Sequence, residues 1–166
     1  MSKVRIAIAG PRGNMGQEAV KLVMETEGFS LDAVIDRKGD GSLLKDFTGI
    51  SEHEVPIYTN MARCFSEHDI DVLIDLTAPA FGRQHMEIAF EHGVRPVVGT
   101  TGFSEQDIEE LRAQAEEKEL GAIIAPNFAI GAILMMKFSQ QAAKFMPDVE
   151  IIERHHDRKL DAPSGT

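Results

Sequence analysis

This 166-residue chain has a single cysteine, Cys64, so an internal disulfide is excluded and the thiol is expected to serve in packing. One free thiol suits a reducing compartment. No run of about 18 apolar residues is present, so no membrane-spanning helix is expected. Positive charge is also scarce: 17 Lys and Arg stand against 27 Asp and Glu, a net charge of −10. Nonspecific nucleic-acid binding draws its affinity from cations that neutralise phosphates, so no nucleic-acid partner is expected and a small-molecule ligand is favoured. Neither GKS nor GKT occurs, which excludes a P-loop. The only tyrosine, Tyr58, has Ala62 four residues on, so the Tyr-x-x-x-Lys pair of short-chain dehydrogenases is missing. An acylating semialdehyde dehydrogenase needs a cysteine nucleophile beyond the dinucleotide sheet, and Cys64 precedes the VLIDLT run, too early for that role.

The apolar and charged fractions, 43% and 27%, are those of a globular protein, and the length suits one ordinary domain. The opening MSKVRIAIAG enters a glycine-rich stretch rather than a small-residue cleavage site. It therefore reads as a first strand and not a signal peptide, and a cytoplasmic location is expected.

Short β-branched runs alternate with amphipathic stretches, the pattern of a doubly wound α/β domain with a parallel sheet. The strand candidates are VRIAIA, LDAVID, VPIY, VLIDLT, PVVGT, AIIAP and VEIIERH, and the helix candidates are 14–27, 60–67, 80–92, 104–119 and 130–146. Ser104 before EQDIEEL is a helix N-cap with acids in the first turn. Gly93 and Gly121 are expected to close the helices before them. The stretch RKGDGSLLKDFTGISEHE shows no period and reads as a surface loop.

Gly10, Gly13 and Gly16 follow the first strand at three-residue spacing, a variant of the dinucleotide fingerprint that would aim backbone N–H groups at an anion. Asp36 stands about 20 residues beyond the last glycine, where a carboxylate accepts ribose hydroxyls. Arg37 and Lys38 follow it and could hold a 2′-phosphate, so both NADH and NADPH are expected to bind. Loops at the carboxyl ends of parallel strands line the ligand site. DLTAPAFG, VGTTGFS and APNFAIG therefore place Thr77, Gly99, Thr100, Thr101, Ala125, Pro126, Asn127 and Phe128 toward the nicotinamide half. His53, His68, His85 and His92 read as surface or packing residues.

The closing run ERHHDRKLDAPSGT reverses the charge of its surroundings, as a cleft for an anionic ligand would. On a strand His155 and His156 point to opposite faces, and no third ligand stands at the right spacing, so no metal site is expected. The Ser-Gly-Thr of residues 164–166 would offer backbone N–H groups and hydroxyls to a carboxylate.

ERHHDRKLDAPSGT, GPRGNMG, VLIDLTAP, VVGTTGF and APNFAIG, in this arrangement, resemble the motifs of the 4-hydroxy-tetrahydrodipicolinate reductase family (older name dihydrodipicolinate reductase) along the whole chain. The resemblance implies a homotetrameric enzyme of the diaminopimelate route to lysine. Such an enzyme reduces a cyclic dicarboxylate with NADH or NADPH to tetrahydrodipicolinate, with loss of water. It implies that residues 1–128 form a Rossmann-like dinucleotide-binding domain and that 129–166 begin an α+β domain for substrate binding and tetramerisation. Carried over onto this chain, His155 is the proton donor or acceptor, Lys159 the second proton donor, and His156, Ser164, Gly165 and Thr166 bind substrate. Gly10, Pro11, Arg12, Gly13, Asn14, Met15, Asp36, Gly99, Thr100, Thr101, Ala125, Pro126, Asn127 and Phe128 bind the dinucleotide, with Arg37 an aid to NADPH. Hydride delivered to a conjugated C=N system leaves negative charge, which a histidine with an ordinary pKa near 6.5 or a lysine ammonium can quench.

Family members continue well past the Ser-Gly-Thr, so the chain is expected to be a portion of a longer enzyme that binds dinucleotide and turns over little substrate by itself. A noncatalytic dinucleotide-binding module, or a reductase of another cyclic imine, are the competing expectations.

Overall fold

The computed structural model describes residues 2–48, 54–125 and 127–152, apart from the side chains of residues 47 and 48. Six strands, β1 (Val4–Ala9), β2 (Phe29–Ile35), β3 (Ile57–Tyr58), β4 (Val72–Asp75), β5 (Arg95–Val98) and β6 (Ile123–Ile124), form one sheet in the order β3-β2-β1-β4-β5-β6. Every pairing is parallel. The chain winds outward from β1 to one edge and returns to β4 to build the other half. That reversal opens a crevice beyond the carboxyl ends of β1 and β4.

The helices are α1 (Asn14–Glu25), α2 (Leu44–Thr48), α3 (Met61–Glu67), α4 (Pro79–Glu91), α5 (Glu105–Glu117) and α6 (Ile130–Ala142). The five helices expected from apolar spacing all begin within one residue of the expected start. Ser104 caps α5 reciprocally: its hydroxyl accepts from the Asp107 amide at 3.1 Å, while the Asp107 carboxylate accepts from the Ser104 amide at 2.9 Å.

Strand alternation sorts the core. Ile6, Ile8, Val34 and Ile57 meet Val20 and Val23 of α1 on one face, and Ala7, Ala9, Ala33, Ile35 and Leu73 meet Met61, Cys64 and Phe65 of α3 on the other. Each fully enclosed Ile, Val or Leu among them contributes roughly 1.5–3 kcal/mol, and each alanine less. A register shift keeps this sorting in step. Ile6 pairs with Leu31 but Ala7 pairs with Ala33, so Asp32 is an extra residue on β2. A one-residue change of register exchanges the faces. The bulge therefore brings Ile35 beside Ala9 and carries Asp36 to the level of the glycine loop.

Arg5 on β1 clamps Asp71 just before β4, with Nε donating to Oδ2 at 3.0 Å and Nη2 donating to Oδ1 at 2.9 Å. Cys64 is fully enclosed, and burial pushes its thiol up to about 12.

Three expectations are corrected. The region read as a loop at 37–54 contains α2, whose Leu44 is buried against Val55 and Ile57. A five-residue helix is too short to show a period. Gly93 does close α4 with φ +72°, but the left-handed residue after α5 is Glu119, φ +53°, two residues ahead of Gly121. Residues 149–152, the described part of the expected VEIIERH strand, are not in a strand. In α6 no residue is buried, and Ile130, Leu134 and Phe138, four residues apart, form an exposed apolar row. No helix among the described residues is long and apolar enough to cross a membrane.

Candidate dinucleotide cleft

The loop from β1 to α1 is shaped by close approach. Gly10 has φ +80°, and its N–H donates to the Ile35 carbonyl at 3.0 Å, fixing the loop to the end of β2. A Cβ on Gly10 would lie 2.9 Å from the Leu76 carbonyl oxygen. A Cβ on Gly16 would lie only 2.0 Å from the Gly10 carbonyl oxygen, so the first turn of α1 packs directly on the loop. Gly13 differs: a Cβ there would meet nothing nearer than 3.6 Å. Its missing side chain therefore leaves the outer face of the loop clear. Gly13 is also the N-cap of α1, with no side-chain cap and no acid in the first turn. An uncapped helix start presents N–H groups and the positive end of the macrodipole to an anion.

A cleft of about 770 Å³ runs from this loop across the ends of β2 and β4, lined by Gly10, Arg12, Gly13, Asp36, Arg37 and His85 among others. At its β2 end Arg12 Nε donates to Asp36 Oδ2 at 2.7 Å, and Nη2 makes a second, short bond to Oδ1. Burial alone would push the Asp36 carboxyl up, but the Arg12 fork and the Lys38 amide outweigh it and hold the group below its ordinary value. At the β4 end the fully buried Asp75 accepts from the Thr77 amide at 2.9 Å, from the Thr77 hydroxyl at 2.6 Å and from His85 Nδ1 at 2.8 Å. The His85 ring stacks on Phe81, with centroids 5.8 Å apart and planes at 14°.

Of the expected cofactor residues, the cleft gathers Gly10, Arg12, Gly13, Asp36 and Arg37. Pro11 is buried, while Asn14 and Met15 open α1 with exposed side chains. Gly99 and Phe128 meet beside the cleft: a Cβ on Gly99 would lie 2.3 Å from the Phe128 ring and 2.6 Å from Leu76, itself a lining residue. Thr100 is buried with its methyl near Gly82, and Thr101 and Ala125 are half-buried. Asn127 accepts from the Ala129 amide at 2.8 Å and so shapes the entry to α6. Pro126, His155, His156, Lys159, Ser164, Gly165 and Thr166 lie outside the described residues.

Among the lining groups that the sequence does not mark, Asn60 and His85 are fixed by hydrogen bonds of their own. Asn60 was not singled out, although it caps α3 through the Arg63 amide at 2.9 Å, a signal present in Asn-Met-Ala-Arg. His85 was read as a packing or surface residue, yet it lines the cleft and is tied to Asp75. The available signal was an acid at the end of a fully apolar strand, which needs a buried partner. Among the described residues no group of three or more His, Cys, Asp or Glu could hold a metal ion.

The glycine contacts, the uncapped helix start and a carboxylate at the end of β2 suit a dinucleotide, and with the strand order they define a Rossmann-like domain of the dinucleotide-binding class. The particular family follows from comparison. The dihydrodipicolinate reductase N-terminal family model matches residues 4–128 and the C-terminal model matches residues 131–166, and the chain belongs to that family. It is 74% identical over 162 residues to the 4-hydroxy-tetrahydrodipicolinate reductase of Shouchella clausii, covering 98% of this chain and 61% of the relative. To the enzyme of the same name from Bacillus subtilis it is 61% identical over 163 residues, with the same coverage. A solved dipicolinate-bound dihydrodipicolinate reductase from Paenisporosarcina sp. TG-14 matches with TM-score 0.79 and 49% identity, over 98% of this chain and 62% of that one. The chain thus spans about 61% of the length of the curated relatives it matches.

Proposed function

We propose that the chain is the cofactor-binding portion of a 4-hydroxy-tetrahydrodipicolinate reductase, an oxidoreductase of lysine biosynthesis through diaminopimelate that uses NADH or NADPH. The observation that carries the reading is the continuous cleft joining the Gly10–Gly13 loop to Asp36 at the switch point of the sheet. The α1 N-terminus and the loop amides would hold the pyrophosphate, and Asp36, Arg12 and Arg37 would face the adenosine ribose. Gly99, Thr100, Thr101, Ala125, Pro126, Asn127 and Phe128 would border the nicotinamide. The bound cofactor would supply hydride; the protein's part is to orient it and to provide protons.

The dicarboxylate bound by the Paenisporosarcina relative supports a cyclic dicarboxylate substrate, met by the basic run at Arg154–Lys159. In this reading His155 and Lys159 manage the protons, and His156, Ser164, Gly165 and Thr166 hold the substrate carboxylates. The chain would divide after residue 128, with 129–166 beginning the substrate and tetramerisation domain. The exposed apolar row of α6 supports that division, since such a row is stable when covered by further protein. A homotetramer in the full-length form and a cytoplasmic setting belong to the same proposal.

The test is to replace Lys159 by Ala in a form that extends through the second family domain, measuring NADPH binding and turnover separately. Retained binding with turnover reduced by about 10²–10⁴, the usual yield of a positioned acid, supports the enzyme. Unchanged turnover overturns the role of Lys159, and binding without any turnover in the unsubstituted protein leaves a noncatalytic dinucleotide-binding module.

A further inference from the structure

The loop between β5 and α5, residues 99–104, carries Gly99, Thr100 and Thr101, which border the nicotinamide in the reading above. Its first residue is tied to β4, since the Gly99 amide donates to the Asp75 carbonyl at 2.8 Å. Its middle is keyed into the first turns of α4. Gly102 has φ +92°, and a Cβ there would lie 2.9 Å from the Pro79 Cβ. A Cβ on Gly82 would lie 2.8 Å from both the Thr100 methyl and the Phe103 ring, so the α4 backbone rests directly on these two side chains.

The last residue of the loop is held through a relay. Asp107 Oδ2 accepts from the Ser104 amide at 2.9 Å and from the Ser104 hydroxyl at 2.7 Å. The other oxygen, Oδ1, accepts a short bond from Arg83 Nη1. Arg83 follows Gly82 on α4, and its guanidinium serves two further acids: Nη2 donates to Glu110 at 2.5 Å and Nε to Glu87 at 3.0 Å. One cation therefore faces three carboxylates. Without it the like charges would repel one another, and Asp107 would lose the partner that fixes its rotation about Ser104.

The cluster is not needed to join the helices. Met86 of α4 already packs with Leu111 of α5 and Val98 of β5 in the core. The Arg83 side chain is 42% exposed, where ion pairs add little stability. What Arg83 adds is alignment: it ties Asp107, and through it Ser104, to the same stretch of α4 that Pro79 and Gly82 set against the loop. The loop is thereby held at its middle and its end by one rigid element. A ligand-bordering loop loses much of its value when its support slackens by about 1 Å.

We propose that Arg83 is a positioning residue for the nicotinamide: acting through Asp107 and Ser104, it holds the β5–α5 loop in the shape that grips this end of the dinucleotide. This rests on the dinucleotide reading of the cleft. It deepens that reading by assigning a role to an α4 side chain turned toward α5.

The experiment compares NADH with ADP-ribose, the same molecule with a hydroxyl in place of the nicotinamide base. Both are titrated by calorimetry into the form that extends through the second family domain. The proteins are the unsubstituted form, Arg83→Met, Arg83→Lys, Asp107→Asn and the Arg83→Met/Asp107→Asn double variant, each checked for fold by circular dichroism. Arg83→Met is expected to weaken NADH by about fivefold or more while changing ADP-ribose by less than about twofold. Arg83→Lys, which keeps a cation for Asp107, should retain part of the lost affinity. Asp107→Asn should show the same split, and the double variant should lose no more than the larger single loss. Equal weakening of both ligands by Arg83→Met would overturn the proposal, since it would make Arg83 a support of the whole fold, and so would no change in either. Additive losses in the double variant would overturn the route through Asp107. Binding of neither ligand by the unsubstituted form would instead remove the dinucleotide reading and the proposal with it.

Discussion

His85 hydrogen-bonds through Nδ1, at 2.8 Å, to a carboxylate that the fold has wholly enclosed, that of Asp75 at the end of β4. A carboxylate oxygen accepts, so Nδ1 carries the hydrogen and Nε2, on the far side of the ring, is the acceptor of the neutral imidazole. Asp75 thereby fixes the tautomer of a ring that lines the cleft. Asp75→Asn would present an amide N–H₂ to Nδ1 and should reverse the tautomer, visible as exchanged ¹⁵N shifts in long-range proton–nitrogen spectra. Asp75→Ala also strands both Thr77 donors and should cost about 3 kcal/mol, read by urea denaturation. An unaltered tautomer in Asp75→Asn would mean that ring packing on Phe81 governs it.

Gly16→Ala tests the loop. Its new Cβ would sit 2.0 Å from the Gly10 carbonyl, a contact between backbone atoms that no side-chain rotation can relieve. A destabilisation of about 1–3 kcal/mol is expected from the forced shift, with dinucleotide affinity falling more than tenfold as the loop amides move. Gly13→Ala, whose Cβ would meet the Gly10 carbonyl only at an ordinary 3.6 Å, should cost much less stability than Gly16→Ala while reducing affinity. Thermal melts and cofactor titration of the two variants separate packing from binding.

The Arg5 clamp predicts an acid response. The Arg5 side-chain fork, followed by its backbone N–H, holds Asp71 down to about 2. The unfolded carboxyl titrates near 3.9, so the unfolded state takes up the proton first as pH falls. The stabilisation is full above that value and is lost as pH descends to about 2. Asp71 is partly exposed, so solvent screening keeps the effect modest. Asp71→Asn should melt below the unsubstituted protein at pH 6, with the gap closing between about pH 4 and pH 2. A gap constant across that range would mean that the carboxylate charge contributes nothing.

The glycine spacing, the Ser104 cap and the runs of buried β-branched residues were legible in the sequence because each is a local rule with a fixed spacing. Asp36 was legible for its position but not for its state. Its cover, Arg12, lies 24 residues earlier, and only the fold brings the two together. The same holds for His85, whose partner is set by the packing of α4 over the end of β4. Helix α2 was lost because five residues show no period, and Glu119 was passed over because a glycine stood nearby to attract the cap. The apolar row of α6 was correctly read as helical, but its exposure depends on what it packs against, which no periodicity reports.

The enclosure of Cys64 has a practical side. The thiolate is the reactive form, and a group raised to about 12 with no exposed surface yields almost none of it at neutral pH. Since it is the only cysteine, the chain comes with its native thiol chemically silent. A single cysteine introduced at Arg37 or on the exposed surface of α1 would be the one site that maleimide dyes or spin labels modify. Distances across the cleft could then be followed spectroscopically, on a background that needs no further substitution.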